Sequence, residues 1–396
     1  MRRIRTVDTP VVVLSFLRSL ICIGVAMAIL TTTMALADAQ TILVGSVFPK
    51  TGLAAVEADT IRQAVELAAE KINMSGGLLG RQVELVEFDN QSTAIGSRQA
   101  AIEAVQAGVL AVVGPTWSSH AMAMASVLQE AKTLMIAATA SAPGLTDVGD
   151  YIFRACYTDK LQAEVLANFA LRDLKSSRVA ILHIAQDVYS QGLANLFSEH
   201  FTQSGGTVVA QEPYLLDAMD FSIQLQKAAV FNPDLIFVPG YARDAAVIIR
   251  QARLMGLTMP LLGGDGWSIS DTYPMSTLSQ GDNYYVSHWS IGIQTPESKT
   301  FLRLFKERFP GQFHNLNPGA ACGFDAMNLL AEAIRRAGTT ETDSIRTALV
   351  SIQGFQGVSG TISFGPNRNP EKPLALIKMT PNGTRFVKML VPEALQ

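Results

Sequence analysis

Three hydroxyl side chains follow short apolar segments in the first half of the chain. Ser118 comes after the segment 109–113, and Thr139 and Ser141 come after 134–137. A hydroxyl group and the backbone N–H groups at a helix start can all donate hydrogen bonds to an anion. Residues of these types could therefore hold a carboxylate. Purely structural roles stay open as well, with Ser118 as a helix cap and the two residues after 137 as turn formers.

Two tyrosines and one acid occupy similar positions in the second half. Tyr189, Tyr241 and Asp265 each follow a short apolar segment. An aspartate accepts charge-assisted hydrogen bonds from an ammonium group, whereas neutral donors and a helix start suit a carboxylate. Taken singly, these residues fit equally well as a surface tyrosine, a helix cap and a turn aspartate. Taken together with the hydroxyls, they predict two half-sites for a zwitterion.

Other chemistries find little support in the sequence. None of the five histidines is paired with another at the spacing that a helical metal site needs. Residues 45–51 resemble a phosphate-binding loop, but Pro49 stands where a glycine is needed and removes a backbone N–H. No G-x-S-x-G nucleophile motif is present. We therefore expect no enzyme activity, no metal and no cofactor.

The chain alternates between short apolar segments, typical of buried strands, and longer segments with helical periodicity. The alternation runs from residue 42 to 137 and restarts from 159 to 263. It is typical of a parallel sheet covered by helices, so the sequence predicts an α/β fold with two such units. Ligands bind these sheets at the carboxyl ends of the strands, which is where the polar residues above fall.

The last part of the chain is less regular. Helices are predicted over 297–309 and 324–337, and strands over 360–364 and 374–379. The segment Pro381-Asn382-Gly383 predicts a tight hairpin turn, because Asn-Gly accepts the positive φ angles of such a turn. No low-complexity linker separates the two units, which favours a hinge over a flexible tether.

Composition limits the class of protein. The 396 residues are 48% hydrophobic and 16% charged, with a formal net charge of −3. A disordered chain combines low hydrophobicity with high net charge, so disorder is not expected. A nucleic-acid partner is not expected either, because nucleic-acid binders carry a basic excess.

The N-terminus has the pattern of a secretory signal peptide. Basic residues at positions 2, 3 and 5 precede an apolar stretch over 11–30, and Ala35-Leu36-Ala37 provides small residues for cleavage. We predict that residues 1–37 are removed and that the mature protein lies outside the cytoplasmic membrane. An uncleaved membrane anchor is the alternative. Cys156 and Cys322 remain after cleavage, and the sequence leaves open whether they form a disulfide.

A set of motifs spread along the chain resembles one known family. The motifs are Gly45 to Gly52, Ile72-Asn73 with Gly76-Gly77, Val113-Gly114-Pro115 with Ser118-Ser119, Leu134 to Pro143 with Leu145-Thr146, Tyr189 with Gly192, Tyr241, Arg250-Gln251-Ala252, and Gly264-Asp265-Gly266. Their order and spacing resemble those of the periplasmic leucine/isoleucine/valine-binding proteins, which are branched-chain amino-acid-binding members of the ABC transporter solute-binding proteins. The resemblance extends over nearly all of the chain after the signal peptide.

The resemblance implies a type I periplasmic binding fold, with two doubly wound α/β lobes on parallel sheets joined by a three-crossover hinge. The implied crossovers lie near residues 154–158, 286–290 and 366–374. Lobe one is then 41–155 plus 289–367, and lobe two is 156–288 plus 368–396. Such lobes close on a ligand like a clamshell.

The resemblance also implies roles for the polar residues. Ser118, Thr139 and Ser141 correspond to the carboxylate side, with Thr139 acting chiefly through its backbone. Asp265 corresponds to the ammonium partner. Tyr189 and Tyr241 correspond to groups of lobe two that reach the ligand on closure.

Some residues depart from the family pattern. Trp117 stands where some relatives carry a disulfide-bonded cysteine, so an indole is expected near the pocket. The loop after the first strand is longer than in close relatives, which leaves Val56 and Glu57 as candidates for its pocket residue. An aromatic side chain that lines the pocket in some relatives is replaced near Gly319. These changes concern the side-chain pocket rather than the head-group residues.

The implied function is that of an extracytoplasmic solute-binding protein that captures an amino acid, branched-chain or related. The implied partners are the membrane permease and the ATPase of an ABC importer, and a monomer is expected. Two alternatives keep the fold. One is an amide, urea or aromatic carboxylate ligand, the last stacked on Trp117, and the other is a ligand sensor rather than a transport component.

Overall fold

The computed structural model describes residues 41–268 and 279–393. The predicted signal peptide, residues 1–37, lies outside these ranges. Within them, no helix combines the length and the hydrophobicity that crossing a bilayer requires.

Strands and helices alternate along most of the described chain. The strands are β1 Thr41–Phe48, β2 Gln82–Asp89, β3 Ala111–Val113, β4 Leu134–Ala137, β5 Ile152–Arg154, β6 Arg178–Ile184, β7 Thr207–Tyr214, β8 Leu235–Val238, β9 Leu261–Gly263, β10 Asn283–Ser287, β11 Phe355–Gly357, β12 Gly360–Ile362, β13 Leu374–Thr380 and β14 Gly383–Leu390. The helices of eight or more residues are α1 Ala55–Met74, α2 Ala94–Gln106, α3 Ser118–Glu130, α4 Asp159–Asn168, α5 Val188–Gln203, α6 Ser222–Ala229, α7 Ala242–Leu254, α8 Pro296–Arg308, α9 Ala320–Ala337 and α10 Thr342–Val350.

The first sheet has five parallel strands in the order β2-β1-β3-β4-β5. Every residue of β3 and β4 is buried, because helices cover both faces of the sheet. The apolar composition of these short segments therefore reflects burial on two sides. The predicted α/β alternation over 42–137 is confirmed.

The second sheet has seven strands in the order β14-β13-β10-β9-β8-β6-β7. Strands β6 to β10 pair in parallel, but β13 is antiparallel to β10, and β14 is antiparallel to β13. The predicted α/β fold with parallel sheets is confirmed, and this antiparallel pair of strands extends the second sheet at one edge. The cause is the predicted hairpin, which the structure confirms: Thr380 pairs with Gly383, whose φ is 113°. A two-residue turn can join only antiparallel strands.

Some elements differ from the sequence expectations. The three-residue strand β5 and the helix α10 were not predicted, and α9 begins at Ala320 rather than at 324. Helix α4 ends at Asn168 and is followed by a π-helical turn over Phe169–Asp173. Such short strands carry too few residues for a periodicity to be recognised.

The buried apolar residues form separate cores around the two sheets. One cluster contains residues up to Cys156 and then Trp289 to Phe364. Another contains Tyr157 to Val286 and then the residues of β13. A third, smaller cluster packs against the other face of the first sheet. The chain thus passes from one core to the other at the expected crossovers. The lobe boundaries themselves stay a prediction.

A buried lysine ties two of the expected crossovers together. Lys372 is fully buried, and its Nζ donates to Ala155 O at 2.9 Å and to Ser359 Oγ at 2.6 Å. Ala155 lies in the first expected crossover and Lys372 in the third. Nearby, Cys156 and Cys322 are buried free thiols, so no disulfide joins them.

Candidate functional site

A cavity of about 50 Å³ lies between the two sheets, at the carboxyl ends of their strands. One water molecule needs roughly 10–15 Å³ of such volume, so the cavity suits a small molecule. All seven residues predicted from the sequence line it. The complete lining is Glu57, Ile61, Thr116, Trp117, Ser118, Thr139, Ser141, Tyr189, Tyr241, Asp265, Gly266, Ser268, His288 and Asn317.

Ser118 is the first residue of α3, and Trp117 is its N-cap. The Ser118 hydroxyl does not cap its own helix: its Oγ accepts a hydrogen bond from Ala142 N at 3.1 Å, in the loop after β4. This contact joins the two loops that carry the predicted hydroxyls. Because Oγ serves as the acceptor there, the hydroxyl hydrogen remains available to a ligand.

The loop after β4 is held in place by its own contacts. Thr139 Oγ1 donates to Thr116 O at 3.1 Å, so this hydroxyl is engaged within the protein and the backbone is left for a ligand. The buried guanidinium of Arg154 donates to Ala140 O at 2.9 Å and to Ala142 O at 2.8 Å. The loop is therefore preorganised before any ligand binds.

Asp265 is buried beside two polar partners. Its Oδ1 accepts from Gln162 Nε2 at 3.0 Å, and its Oδ2 lies 2.8 Å from His288 Nε2. Burial by itself raises the pKa of Asp265, but the charge and the hydrogen bond of His288, with the bond from Gln162, hold the pKa below its usual value. Asp265 is therefore an anion within the cavity wall.

A second carboxyl group lies behind Asp265. Gln162 Nε2 also donates to Asp159 Oδ1 at 2.9 Å and so bridges the two acids. Burial, and then the negative charge of Asp265, raise the pKa of Asp159 well above its usual value. The negative charge is therefore held on Asp265 in preference to Asp159. Its backbone N–H donates to Ser141 O at 2.9 Å, which links α4 to the hydroxyl loop.

The aromatic residues bring the two sides of the cavity into contact. Trp117, from the first-sheet side, stacks on Tyr241, from the second-sheet side, with ring centroids 4.1 Å apart and planes 13° apart. The expected indole is therefore near the pocket. Tyr189 Oη accepts from Gly266 N at 3.0 Å, which positions the loop that carries Asp265.

Glu57 is the pocket residue of the long loop region after β1. It lies in the first turn of α1 and lines the cavity, whereas Val56 is 85% exposed and does not. Burial, and then the charge of Asp244, raise the pKa of Glu57 to about 7, although Arg243 and a hydrogen bond from Trp117 act in the opposite direction. Glu57 is consequently an acid that gives up its proton with difficulty at this site.

A family comparison decides what kind of protein this site belongs to. The model of a family described as periplasmic binding protein matches residues 41–384. The chain belongs to the periplasmic binding protein family. Its architecture of two α/β units agrees with the fold that the sequence resemblance implied.

Known relatives of this periplasmic binding protein include proteins named for amino acids. It is 29% identical to the Leu/Ile/Val-binding protein BraC3 of Rhizobium johnstonii over 327 residues, which covers 82% of this chain and 87% of that protein. It is also 29% identical to the crystal structure of the leucine binding protein LivK of Thermotoga maritima, with a TM-score of 0.82 and coverage of 89% and 100%. These relatives are binding proteins rather than enzymes.

A more distant structure shares the fold alone. The solute binding protein of an ABC transporter from R. palustris, solved in complex with 4-hydroxybenzoate, is 21% identical to this chain. Its TM-score is 0.81, and the match covers 89% of this chain and 98% of the other. The same fold therefore accommodates different ligands.

Around Asp265 of this periplasmic binding protein, His288, Gln162 and Asp159 were not predicted as site residues. Neither were five further residues of the cavity lining: Ile61, Thr116, Gly266, Ser268 and Asn317. His288 lies in the second expected crossover, which was the one available signal for it. The space beside Gly319, near which an aromatic side chain of some relatives is expected to be replaced, is occupied, since a Cβ there would lie 2.8 Å from Ile61 Cδ1 and 2.9 Å from Thr139 Cγ2. No aromatic side chain fits at that position without displacing Ile61.

Proposed function

We propose that this protein captures an amino acid, branched-chain or related, between two lobes and delivers it to the permease and ATPase of an ABC importer. One observation carries the proposal. The hydroxyl loops of the first sheet and the anionic Asp265 of the second sheet line the same small cavity. Donors for a carboxylate thus face an acceptor for an ammonium group.

The proposed binding mode assigns a role to six of the seven predicted residues. The ligand carboxylate accepts from the Ser118 hydroxyl, from Ser141 and from the backbone N–H of Thr139, near the start of α3. The ammonium group donates to Asp265. Tyr189 and Tyr241 complete the cavity when lobe two, proposed as 156–288 plus 368–396, closes on lobe one. No covalent bond changes in these steps, so binding alone is the proposed activity.

Closure explains how such a site gains affinity. When the lobes exclude water, each charge-assisted hydrogen bond acts in a lower dielectric and is strengthened. A ligand that contacts both lobes binds the closed form better and so increases its population. The names of the relatives BraC3 and LivK support an amino-acid ligand and a place in transport. Family membership and the predicted leader over 1–37 support a periplasmic location.

Isothermal titration calorimetry tests this function. The protein is first unfolded and refolded to strip any bound ligand, and is then titrated with each of the twenty standard amino acids. We expect saturable heat with at least one of them. The absence of heat with all twenty from correctly refolded protein would overturn the amino-acid proposal.

A second candidate, an aromatic carboxylate, is favoured by two contacts. Trp117 and Tyr241 already form a stacked aromatic wall, and Asp265 already has His288 within 2.8 Å. An aromatic acid would use the wall and would need no partner for an ammonium group. The Asp265→Ala variant separates the candidates: loss of binding indicates an ammonium group on the ligand, and unchanged binding indicates a plain acid such as 4-hydroxybenzoate.

A further inference from the structure

The part of the cavity that the head-group residues leave free contains polar side chains. Beside Ile61 and the aromatic wall it is lined by Glu57, Thr116, Asn317 and Ser268. A leucine side chain offers only hydrocarbon to such a surface. Burying polar groups against hydrocarbon without a hydrogen-bond partner is costly. Ser268 and Asn317 already have partners within the protein, so the mismatch with a purely aliphatic side chain concerns Glu57 and Thr116.

Glu57 lacks a counter-charge of its own. None of the ion pairs within 4.0 Å in residues 41–268 and 279–393 includes it. The charged groups that face it come from the start of α7, where Arg243 is committed to Asp244 at 2.9 Å. The remaining neighbours are the Trp117 indole, which donates to the carboxyl group, and the Tyr241 ring. An uncompensated acid therefore lines the cavity.

Thr116 supplies a second, independent signal. Its side chain is 7% exposed, and its Oγ1 has no hydrogen-bond partner among the described residues. Buried polar atoms are nearly always satisfied in folded proteins. Since Thr116 also lines the cavity, a ligand atom is the natural partner of this hydroxyl.

We infer that Glu57 selects an amino acid whose side chain ends in an N–H hydrogen-bond donor. The inference rests on the proposed function and specifies its ligand. The N–H group of the ligand side chain donates to the Glu57 carboxylate. The Thr116 hydroxyl forms a hydrogen bond with the remaining polar atom of that ligand side chain. An aliphatic side chain of equal size leaves the Thr116 hydroxyl unpaired and leaves the Glu57 carboxyl group with the Trp117 indole as its donor, and an acidic side chain is repelled. Rejection by unpaired buried polar groups is a strong source of specificity.

Three ligands of nearly equal shape test the inference: asparagine, leucine and aspartate. Their side chains branch at the same carbon and differ in whether they donate, stay apolar or carry a negative charge. In calorimetric titrations at pH 8, we expect asparagine to bind the stripped wild-type protein about tenfold more tightly than leucine, since a hydrogen bond to a charged group contributes about 1.5–3 kcal/mol. We expect aspartate to bind most weakly of the three.

Two variants and one control make the test specific. Glu57→Leu is expected to shift the asparagine-to-leucine affinity ratio at least tenfold toward leucine, and Glu57→Gln is expected to relieve the rejection of aspartate. Asp59→Asn removes a charge from the same helix, at a residue that pairs with Arg62 and does not line this cavity, so it leaves the ratio unchanged. Thermal melts establish that each variant is folded.

The outcomes separate the inference from the function on which it rests. A wild-type preference for leucine, or a ratio that Glu57→Leu leaves unchanged, would overturn the inference while amino-acid binding stands. Equal weakening of all three ligands in Glu57→Gln would assign Glu57 to the shared head group and would overturn it as well. If no amino acid binds the wild-type protein, the proposed function itself fails.

Discussion

Replacing Ser118 by alanine gives a sharp test of the proposed carboxylate site. Ser118 is 3% exposed. Within the described part of the chain, its Oγ accepts a hydrogen bond from Ala142 N at 3.1 Å. In the proposed complex, the same hydroxyl also donates its hydrogen to the ligand carboxylate. Ser118→Ala therefore removes two hydrogen bonds that have separate readouts, one in stability and one in affinity.

Both effects have a calculable size. Losing a hydrogen bond to a charged ligand group costs about 1.5–3 kcal/mol, which is roughly a 10–150-fold rise in Kd. Leaving the buried Ala142 N–H without a partner costs about 1–3 kcal/mol of unfolding free energy. The variant is thus expected to bind its amino acid much more weakly and to unfold at a lower denaturant concentration.

Calorimetry and denaturant unfolding measure the two effects on the same protein. Ser119→Ala is the matched control, since Ser119 is the next residue of α3 and does not line the cavity. Ser118→Thr keeps the hydroxyl and should recover most of the affinity. Unchanged affinity in Ser118→Ala, or equal losses in Ser118→Ala and Ser119→Ala, would refute the assignment of the hydroxyl to the ligand.

Three further predictions follow from the geometry of the site. Trp267 and Trp289 are fully buried, whereas Trp117 stacks on Tyr241 at the cavity. Ligand binding should therefore change the tryptophan fluorescence of the wild-type protein. A change of the same size in Trp117→Phe would contradict the proposed closure. The pKa of Glu57 is raised from 4.5 to about 7, so between these pH values the folded protein retains a proton that the unfolded chain releases. Stability is therefore lost as pH rises through this window. Glu57→Gln should raise Tm at pH 8 and not at pH 4, and an equal shift at both pH values would contradict this linkage. Arg154→Met leaves the carbonyl groups of Ala140 and Ala142 without their donor and should lower the unfolding free energy by about 2–4 kcal/mol, measured by denaturant titration, together with a loss of affinity; a variant of wild-type stability would show that the loop needs no such anchor.

The polar residues of the site were predictable because each follows a strand that is itself recognisable. Segments such as Leu134–Ala137 are apolar throughout, and parallel sheets gather the residues after such segments at one edge. Local sequence therefore sufficed to place Ser118 near Thr139, whereas bringing them opposite Asp265 of the second sheet relied on the family resemblance. Their assignment to a ligand remains a prediction that the variants above test.

The parts that were missed depend on contacts between distant segments. His288 meets Asp265 because β9 and β10 are neighbours, with Gly263 paired to Tyr285, so that the residues just beyond the two strand ends converge. Nothing near either residue in the sequence encodes that pairing. The antiparallel edge formed by β13 and β14 likewise depends on where the hairpin docks, although its turn could be identified locally.

The buried contact between Lys372 and Ala155 lies in the crossing segments, away from the cavity lining. Substitutions there therefore affect a different property from substitutions in the cavity. If the lobes close as proposed, the cavity residues would rank one ligand against another, and the crossing segments would set the fraction of unliganded molecules that are already closed. Apparent affinity scales with that fraction, while the ranking of ligands does not. Substitutions around Lys372 would therefore strengthen or weaken the capture of every ligand by one common factor. Evolution or engineering would then adjust the proposed capture to the abundance of a solute without altering which solute is bound.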